Sequence, residues 1–145
     1  MPPRLSTREK KVAQVPIGDA FTQRQADHIR QALASAREQT GLHFSVYIGA
    51  VDADARDYAK RLHASLGAIA DDAVLTLIEP EQRRVEIVTG ALARRRLDDR
   101  AAGLVSLSMA TSFSGGDLAG GLVNGIRMMT QSAARPQVLH EHQND

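Results

Sequence analysis

The sequence predicts an α/β fold: a small mixed β-sheet with helices packed on it, in the order α-β-α-β-β-α-α. Three observations carry this expectation. Val74-Leu75-Thr76-Leu77-Ile78 is apolar on nearly both faces, the pattern of a central strand covered by helices. The turn-forming run Glu79-Pro80-Glu81-Gln82-Arg83 then returns the chain into Val85–Val88, a strand that pairs antiparallel with the first. Other segments place apolar residues at helical spacing, each with a capping Thr or Asp ahead of it.

Taken in chain order, Val12 to Ile17 is a short apolar run suited to an edge strand, restricted by Pro16. Thr22 can cap a helix whose stripe is Ala26, Ile29, Leu33 and Ala36, and Gly41 follows its end. His43 to Val51 alternates as a strand, with Phe44, Val46 and Ile48 on one face and Ser45 and Tyr47 on the other. Asp52 or Asp54 caps the next helix, which buries Ala55, Tyr58 or Ala59, Leu62 and Leu66 and stops at Gly67. After the strand pair, Gly90 ends the second strand. Asp98 or Asp99 caps a helix that buries Ala102, Val105, Met109 and Phe113. Ser114-Gly115-Gly116 turns the chain, and Asp117 caps a last helix that buries Leu118, Leu122, Ile126 and Met129. Gly121 and Gly125 lie one turn apart in it, which predicts close packing on the sheet or a neighbouring helix. The first two strands of the sheet should be parallel, joined by a right-handed helical crossover.

The chain has 145 residues, enough for one domain with a core that needs no staples. Residues 1–11 are expected to be a disordered tail, 12–133 the single domain, and 134–145 a second disordered tail. Aromatics are only 3%, so Ala, Leu, Val and Ile must build the core, and stacking of single-stranded nucleic acid is not expected. A formal net charge of +1 implies no polyanionic partner by bulk electrostatics. With no cysteine, disulfides, zinc–thiolate sites and cysteine nucleophiles are excluded. No apolar stretch has the length of a membrane span, and the N-terminal residues do not read as a secretory signal, so the expected location is cytoplasmic.

The most unusual local feature is Gly90-Ala91-Leu92-Ala93-Arg94-Arg95-Arg96-Leu97-Asp98-Asp99-Arg100. It sets Arg94, Arg95, Arg96 and Arg100 between a strand and a helix N-terminus, where guanidinium forks and helix dipole both favour an anion. The bland alternative is that Asp98 and Asp99 cap the helix and pair with neighbouring arginines on a solvated surface. Since two carboxylates can neutralise at most two of three consecutive arginines, at least one guanidinium should remain free. Aspartates also gather in loops flanking the sheet, at Asp52, Asp54, Asp71, Asp72, Asp98, Asp99 and Asp117. Two or three of them on one edge could hold Mg²⁺ or Ca²⁺, although each also has a capping or turn role open to it. His28, His43 and His63 are expected on the exposed sides of their elements, and His140 and His142 lack the spacing of a zinc pair. There is no Gly-x-Ser-x-Gly elbow and no glycine loop for phosphate in a strand-to-helix turn.

Several stretches carry a family resemblance. Leu42–Gly49, Arg61-Leu62-His63-Ala64, Val85–Gly90, Arg94–Ala101 and Ser114–Leu122 resemble a group of actinobacterial proteins known as a domain of unknown function. That group in turn looks like a distant relative of the TPM domain of thylakoid-lumen photosystem-repair proteins and bacterial envelope proteins. The shared pattern is a turn-linked strand pair (Val74–Val88), a glycine-bearing loop (Gly90), an Asp before a helix (Asp98), and a closing Asp-x-x-x-Gly-Leu helix (Asp117 to Gly121-Leu122). The resemblance implies a mixed sheet sandwiched by helices. In some TPM members it also implies weak acid-phosphatase activity and divalent-cation binding at loop aspartates. Here the post-strand loop is rich in arginine where TPM domains usually carry Gly-Tyr-Gly.

The expected function is a TPM-like binding domain without a resident cofactor, which takes a protein partner or small anionic ligand on Arg94, Arg95, Arg96 and Arg100. One alternative is a metal-assisted acid phosphatase. In it Asp71, Asp72, Asp98 and Asp99 hold Mg²⁺ or Ca²⁺ to activate water while arginines neutralise phosphoryl charge. A second alternative is contact with a membrane surface or nucleic acid through the basic tail from Arg4 to Lys11.

Overall fold

The computed structural model describes residues 20–143, with side chains through Ala134. Thr22 opens helix α1 (Gln23–Thr40) with a reciprocal capping box. Its hydroxyl accepts from the Gln25 amide at 3.1 Å, and the Gln25 side chain accepts from the Thr22 amide at 2.9 Å. The helix ends where Gly41 takes a left-handed conformation (φ 79°), which a side chain would disfavour. Strand β1 (His43–Ile48) follows, then helix α2 (Ala55–Ala64), whose N-cap is Asp54 rather than Asp52. A 3-10 segment, Gly67–Asp72, leads into β2 (Ala73–Glu79), and β3 (Arg84–Thr89) returns from the turn. Helices α3 (Asp99–Ser114) and α4 (Leu118–Gln143) complete the described chain.

The sheet has the order β1-β2-β3. β1 and β2 run parallel, with His43 opposite Ala73 and Ile48 opposite Ile78, while β2 and β3 run antiparallel from Val74–Thr89 to Glu79–Arg84. Every residue of β2 is buried, as its unbroken apolar run requires for a strand with helices on both faces. On one face Val46, Val74, Ile78 and Ile87 join Ile29 of α1, Met109 of α3 and Leu122, Ile126 and Met129 of α4 in the larger core. On the other, Leu75, Leu77 and Val88 pack on Ala55, Ala59 and Leu62 of α2. The molecule is therefore three layers: α2, the sheet, and α1, α3 and α4. This is the mixed α/β architecture expected from the sequence.

Two of the three glycines of α4, Gly121 and Gly125, face α3. A Cβ at Gly125 would collide with the Met109 side chain, and one at Gly121 would stand 2.6 Å from the Ser112 Cβ. Each glycine disfavours the helix by about 1 kcal/mol, and the close packing of two buried helices offsets that cost. The neighbour that demands the space is a helix, not the sheet.

Three features differ from expectation. The 3-10 segment before β2 has no apolar period to announce it. His63 is buried at 9% exposure, with Nε2 donating to the Ala73 carbonyl at 3.2 Å, so the expectation that it faces solvent is corrected. Its position in the last turn of α2 brings the ring onto the start of β2, where the carbonyl compensates the buried nitrogen. The bounds of α4 also overlap the segment from residue 134 that the sequence reading assigns to a tail. The tail at 1–11 and the edge strand at Val12–Ile17 lie outside the described residues.

Candidate functional site

The arginine loop and the Asp71-Asp72 segment meet at one end of the sheet, where β1 and β2 begin and β3 ends. Gly90 is the pivot. Its amide donates to the Ala73 carbonyl at 2.9 Å, and the Leu92 amide donates to the Asp71 carbonyl at 3.0 Å. A Cβ on Gly90 would collide with the Ala70 carbonyl oxygen and stand 2.5 Å from that of Asp71. Only a residue without a side chain lets the two backbones come this close. The Ala73 carbonyl thus accepts from both Gly90 and His63, joining the loop, α2 and the central strand at one atom.

From Gly90 the loop passes through a 3-10 turn, Ala93–Arg95, anchored by Ala93 and Leu97, both fully buried. These anchors sort the four arginines. Arg94 folds back: Nη2 donates to the Thr89 carbonyl at 2.7 Å, and Nε lies 3.8 Å from the Asp99 carboxylate. Arg96 turns inward, and its Nε donates to the Ala133 carbonyl of α4 at 2.8 Å. The side chains of Arg95 and Arg100 are exposed and make no hydrogen bond or ion pair to any described residue. Leu92, at the head of the loop, is 42% exposed.

The aspartates are divided. Asp54 caps α2 by accepting from the Asp57 amide at 3.0 Å, and Asp117 caps α4 by accepting from the Gly120 amide at 2.9 Å. Asp98 caps α3, accepting from the Ala101 amide at 2.9 Å, and Asp99 takes the Arg94 contact. Asp71 and Asp72 are exposed beside the loop. Among the described residues no three His, Asp or Glu side chains gather as a metal-holding group. At the opposite end of the sheet Glu79 is buried, and its carboxylate accepts from the Val51 amide at 3.0 Å, closing the β1–α2 loop. His43 opens β1 near Asp72. Its partial burial and the Arg37 charge hold the imidazole below its ordinary value of 6.5, while Asp72 acts in the opposite direction. Sequence reasoning missed the Arg96–Ala133 bond and the burial of His63; neither leaves a local signal, because each depends on a partner from another element.

The geometry defines a class: a three-layer α/β domain with a tethered arginine loop at the amino end of its parallel strands. Within that class the chain belongs to the family described as a domain of unknown function (DUF5130), whose model matches residues 3–130. It is 31% identical over 105 residues to two uncharacterized proteins of Mycobacterium tuberculosis, Rv2468c of strain H37Rv and MT2543 of strain CDC 1551. Those matches cover 71% of this chain and 61% of the relatives, so the chain spans about three fifths of the length of the curated relatives it matches. Among solved structures it is similar to the BA42 protein of the psychrophilic bacterium Bizionia argentinensis. The TM-score is 0.73 at 19% identity, covering 83% of this chain and 86% of that one. It is also similar to the N-terminal domain of a protein from P. gingivalis, with TM-score 0.70, 22% identity, and coverage of 79% and 76%. The N-terminal domain of the cg2496 protein from Corynebacterium glutamicum gives 0.67 at 14% identity, with coverage of 79% and 74%. At such identities the likeness shows the fold. No helix among the described residues is long and apolar enough to cross a membrane.

Proposed function

We propose that this chain is a TPM-like binding domain that holds an anionic group with the guanidiniums of Arg95 and Arg100. The observation that carries the reading is the division within Arg94–Arg100. Arg94 and Arg96 are committed to Thr89 and Ala133, whereas Arg95 and Arg100 reach solvent without an intramolecular partner among the described residues. A free guanidinium fork takes a phosphate or carboxylate two-pronged. Screening at ~0.15 M salt limits attraction to about 8 Å, so recognition requires direct contact. The exposed Leu92 adds an apolar edge beside the cations, which suits the acidic surface of a protein partner better than a bare ion. The TPM-like assignment is supported by the motif stretches and by a mixed sheet lying between helices.

A second reading is the metal-assisted phosphatase on Asp71, Asp72, Asp98 and Asp99 with Mg²⁺ or Ca²⁺. The nearness of the Asp71 backbone to the arginine loop favours it. The binding reading is preferred because Asp98 and Asp99 already serve the helix cap and Arg94. Contact with a membrane surface or nucleic acid through Arg4–Lys11 rests on residues outside those described, and would show as a steep salt dependence.

The test is titration calorimetry with pyrophosphate and with an aspartate-rich peptide, on the natural chain and on Arg95→Gln/Arg100→Gln. Binding that disappears in the double variant while the melting transition stays in place supports the reading. Undiminished binding in the folded double variant overturns the assignment to Arg95 and Arg100.

A further inference from the structure

The outward face of α3 carries exposed leucines that the fold does not use. Leu104 is 56% exposed and Leu107 65%, the two largest values among the exposed large hydrophobics of the described residues. With Arg100 and Thr111 they form one line at spacings of four, three and four, opposite the buried Ala102, Val105 and Met109. That spacing is the seam of a coiled coil, where apolar groups repeat every 3.5 residues and pack on a second helix. Gly103 borders the line. A Cβ there would meet nothing within 4 Å, so no neighbour among the described residues explains it, in contrast to Gly121 and Gly125. Glycine weakens a helix interior relative to alanine, and its use on an open face permits a second backbone to approach closely.

Charge along the same face fixes who the partner is and how it lies. Arg100 stands in the first turn of α3, at the positive end of the helix dipole, while the last turn holds no basic residue. In α1 that terminal role is filled by Arg37, which donates to the Gly41 carbonyl at 3.0 Å, and in α2 by Arg61. Cations are favourable at a helix C-terminus. Two copies of α3 packed antiparallel about a point between Leu104 and Leu107 stack leucine on leucine. They also set Arg100 of each against Thr111 of the other, at the carbonyl end that lacks a cation. The Thr111 hydroxyl donates to the Leu107 carbonyl at 2.9 Å and keeps its lone pairs for a guanidinium. Parallel pairing would instead stack Arg100 on Arg100, where like charges repel.

We propose that α3 is a self-association surface whose occupant is a second copy of this chain, antiparallel through Leu104 and Leu107. This shares Arg100 with the anion reading but does not rest on it, because the leucine contact of Leu104 and Leu107 lies outside the anion site and is tested by their replacement. A contact between two 16-residue helices is small beside the ~1,200–2,000 Å² of a standard interface, so the dimer is weak and concentration-dependent.

Sedimentation equilibrium from the low micromolar range to about 0.5 mM should show reversible dimerisation of the 15.7 kDa chain. Leu104→Gln/Leu107→Gln should keep the melting transition, since glutamine favours helix about as well as leucine, and weaken the dimer at least about tenfold, since leucines of the contact are exchanged for amides. Gly103→Gln should raise the melting temperature, because glutamine favours helix, and weaken the dimer by filling the approach. The chain has no cysteine, so direction is read by mixing Arg100→Cys with Thr111→Cys and oxidising: the mixed disulfide supports the antiparallel register. A single monomeric species at about 0.5 mM overturns the proposal. So does a dimer unchanged in both the leucine and glycine variants, or a disulfide formed by Arg100→Cys alone.

Discussion

Arg96 donates Nε to the Ala133 carbonyl at 2.8 Å across 37 residues, tying the loop after β3 to the last helix. It follows that the four arginines of the loop are not equivalent, although the sequence presents them as one basic cluster. Arg96→Gln should destabilise the domain by about 1–2 kcal/mol, since a half-buried, charge-assisted hydrogen bond between the loop and α4 is lost. Arg95→Gln and Arg100→Gln should change stability by less than about 0.5 kcal/mol, as exposed charges do. Urea denaturation midpoints for the three variants measure the difference. Equal effects at Arg95 and Arg96 would show that the tether does not hold in solution.

Among the glycines of the described residues, Gly90 should be the most damaging to replace by Ala. Its Cβ would press on the backbone carbonyls of Ala70 and Asp71, which cannot turn aside as a flexible side chain can. A loss of at least about 2 kcal/mol is expected. Gly103→Ala, where a Cβ meets open space, is the control and should stabilise the fold. Reversal of that order in thermal melts would contradict the close approach of the two loops.

The start of β1 gives a pH dependence. His43 is held below its ordinary value of 6.5, first by burial and then by Arg37, with Asp72 opposing. The unfolded chain therefore binds a proton at His43 before the folded one does, and stability falls as pH drops below 6.5. It levels off once the folded imidazole also titrates. His43→Gln should flatten this slope, and Asp72→Asn should extend it to lower pH by removing the influence that raises the imidazole. Melting temperatures between pH 7.5 and about 4.5 for the three proteins decide the point. An identical slope in His43→Gln would assign it to other groups.

Hydrolysis of a generic phosphomonoester separates the two functional readings. The binding reading expects no turnover above background with added Mg²⁺ or Ca²⁺. Metal-assisted hydrolysis would need the added ion and would vanish in Asp72→Asn, because one lost carboxylate weakens the ligand field. Asp98→Asn keeps a capping oxygen, since Asn caps a helix about as well as Asp, so loss of activity in that variant with an unchanged melting transition would also report a lost ligand. Robust ion-dependent turnover abolished by Asp72→Asn would replace the binding reading with the phosphatase.

Much of the fold was legible in local chemistry. The caps Thr22, Asp98 and Asp117 and the stop Gly41 stand where short-range hydrogen bonding and backbone freedom require them, whereas α2 ends at Ala64, capped by Ser65, ahead of the expected Gly67. The alternation of β1 and the apolar run of β2 predicted which faces meet helices, because side-chain direction follows the period of the element. The 3-10 segment Gly67–Asp72 was not legible. It is held through the Leu92–Asp71 bond, a contact with a loop that follows two strands later.

The candidate site was legible in composition and not in arrangement. By itself the sequence determined that arginines and aspartates gather after β3 and before α3, and that Asp98 stands in position to cap. Capping depends only on a side chain and an amide three residues away. Only the tertiary structure decided which guanidiniums stay free, because the partners of Arg96 and of the loop backbone are Ala133 and Asp71, carbonyls brought near by packing. His63 shows the same division. Its place on α2 was readable, but its burial was decided by the strand laid over it, whose Ala73 carbonyl gives the ring nitrogen a partner out of water.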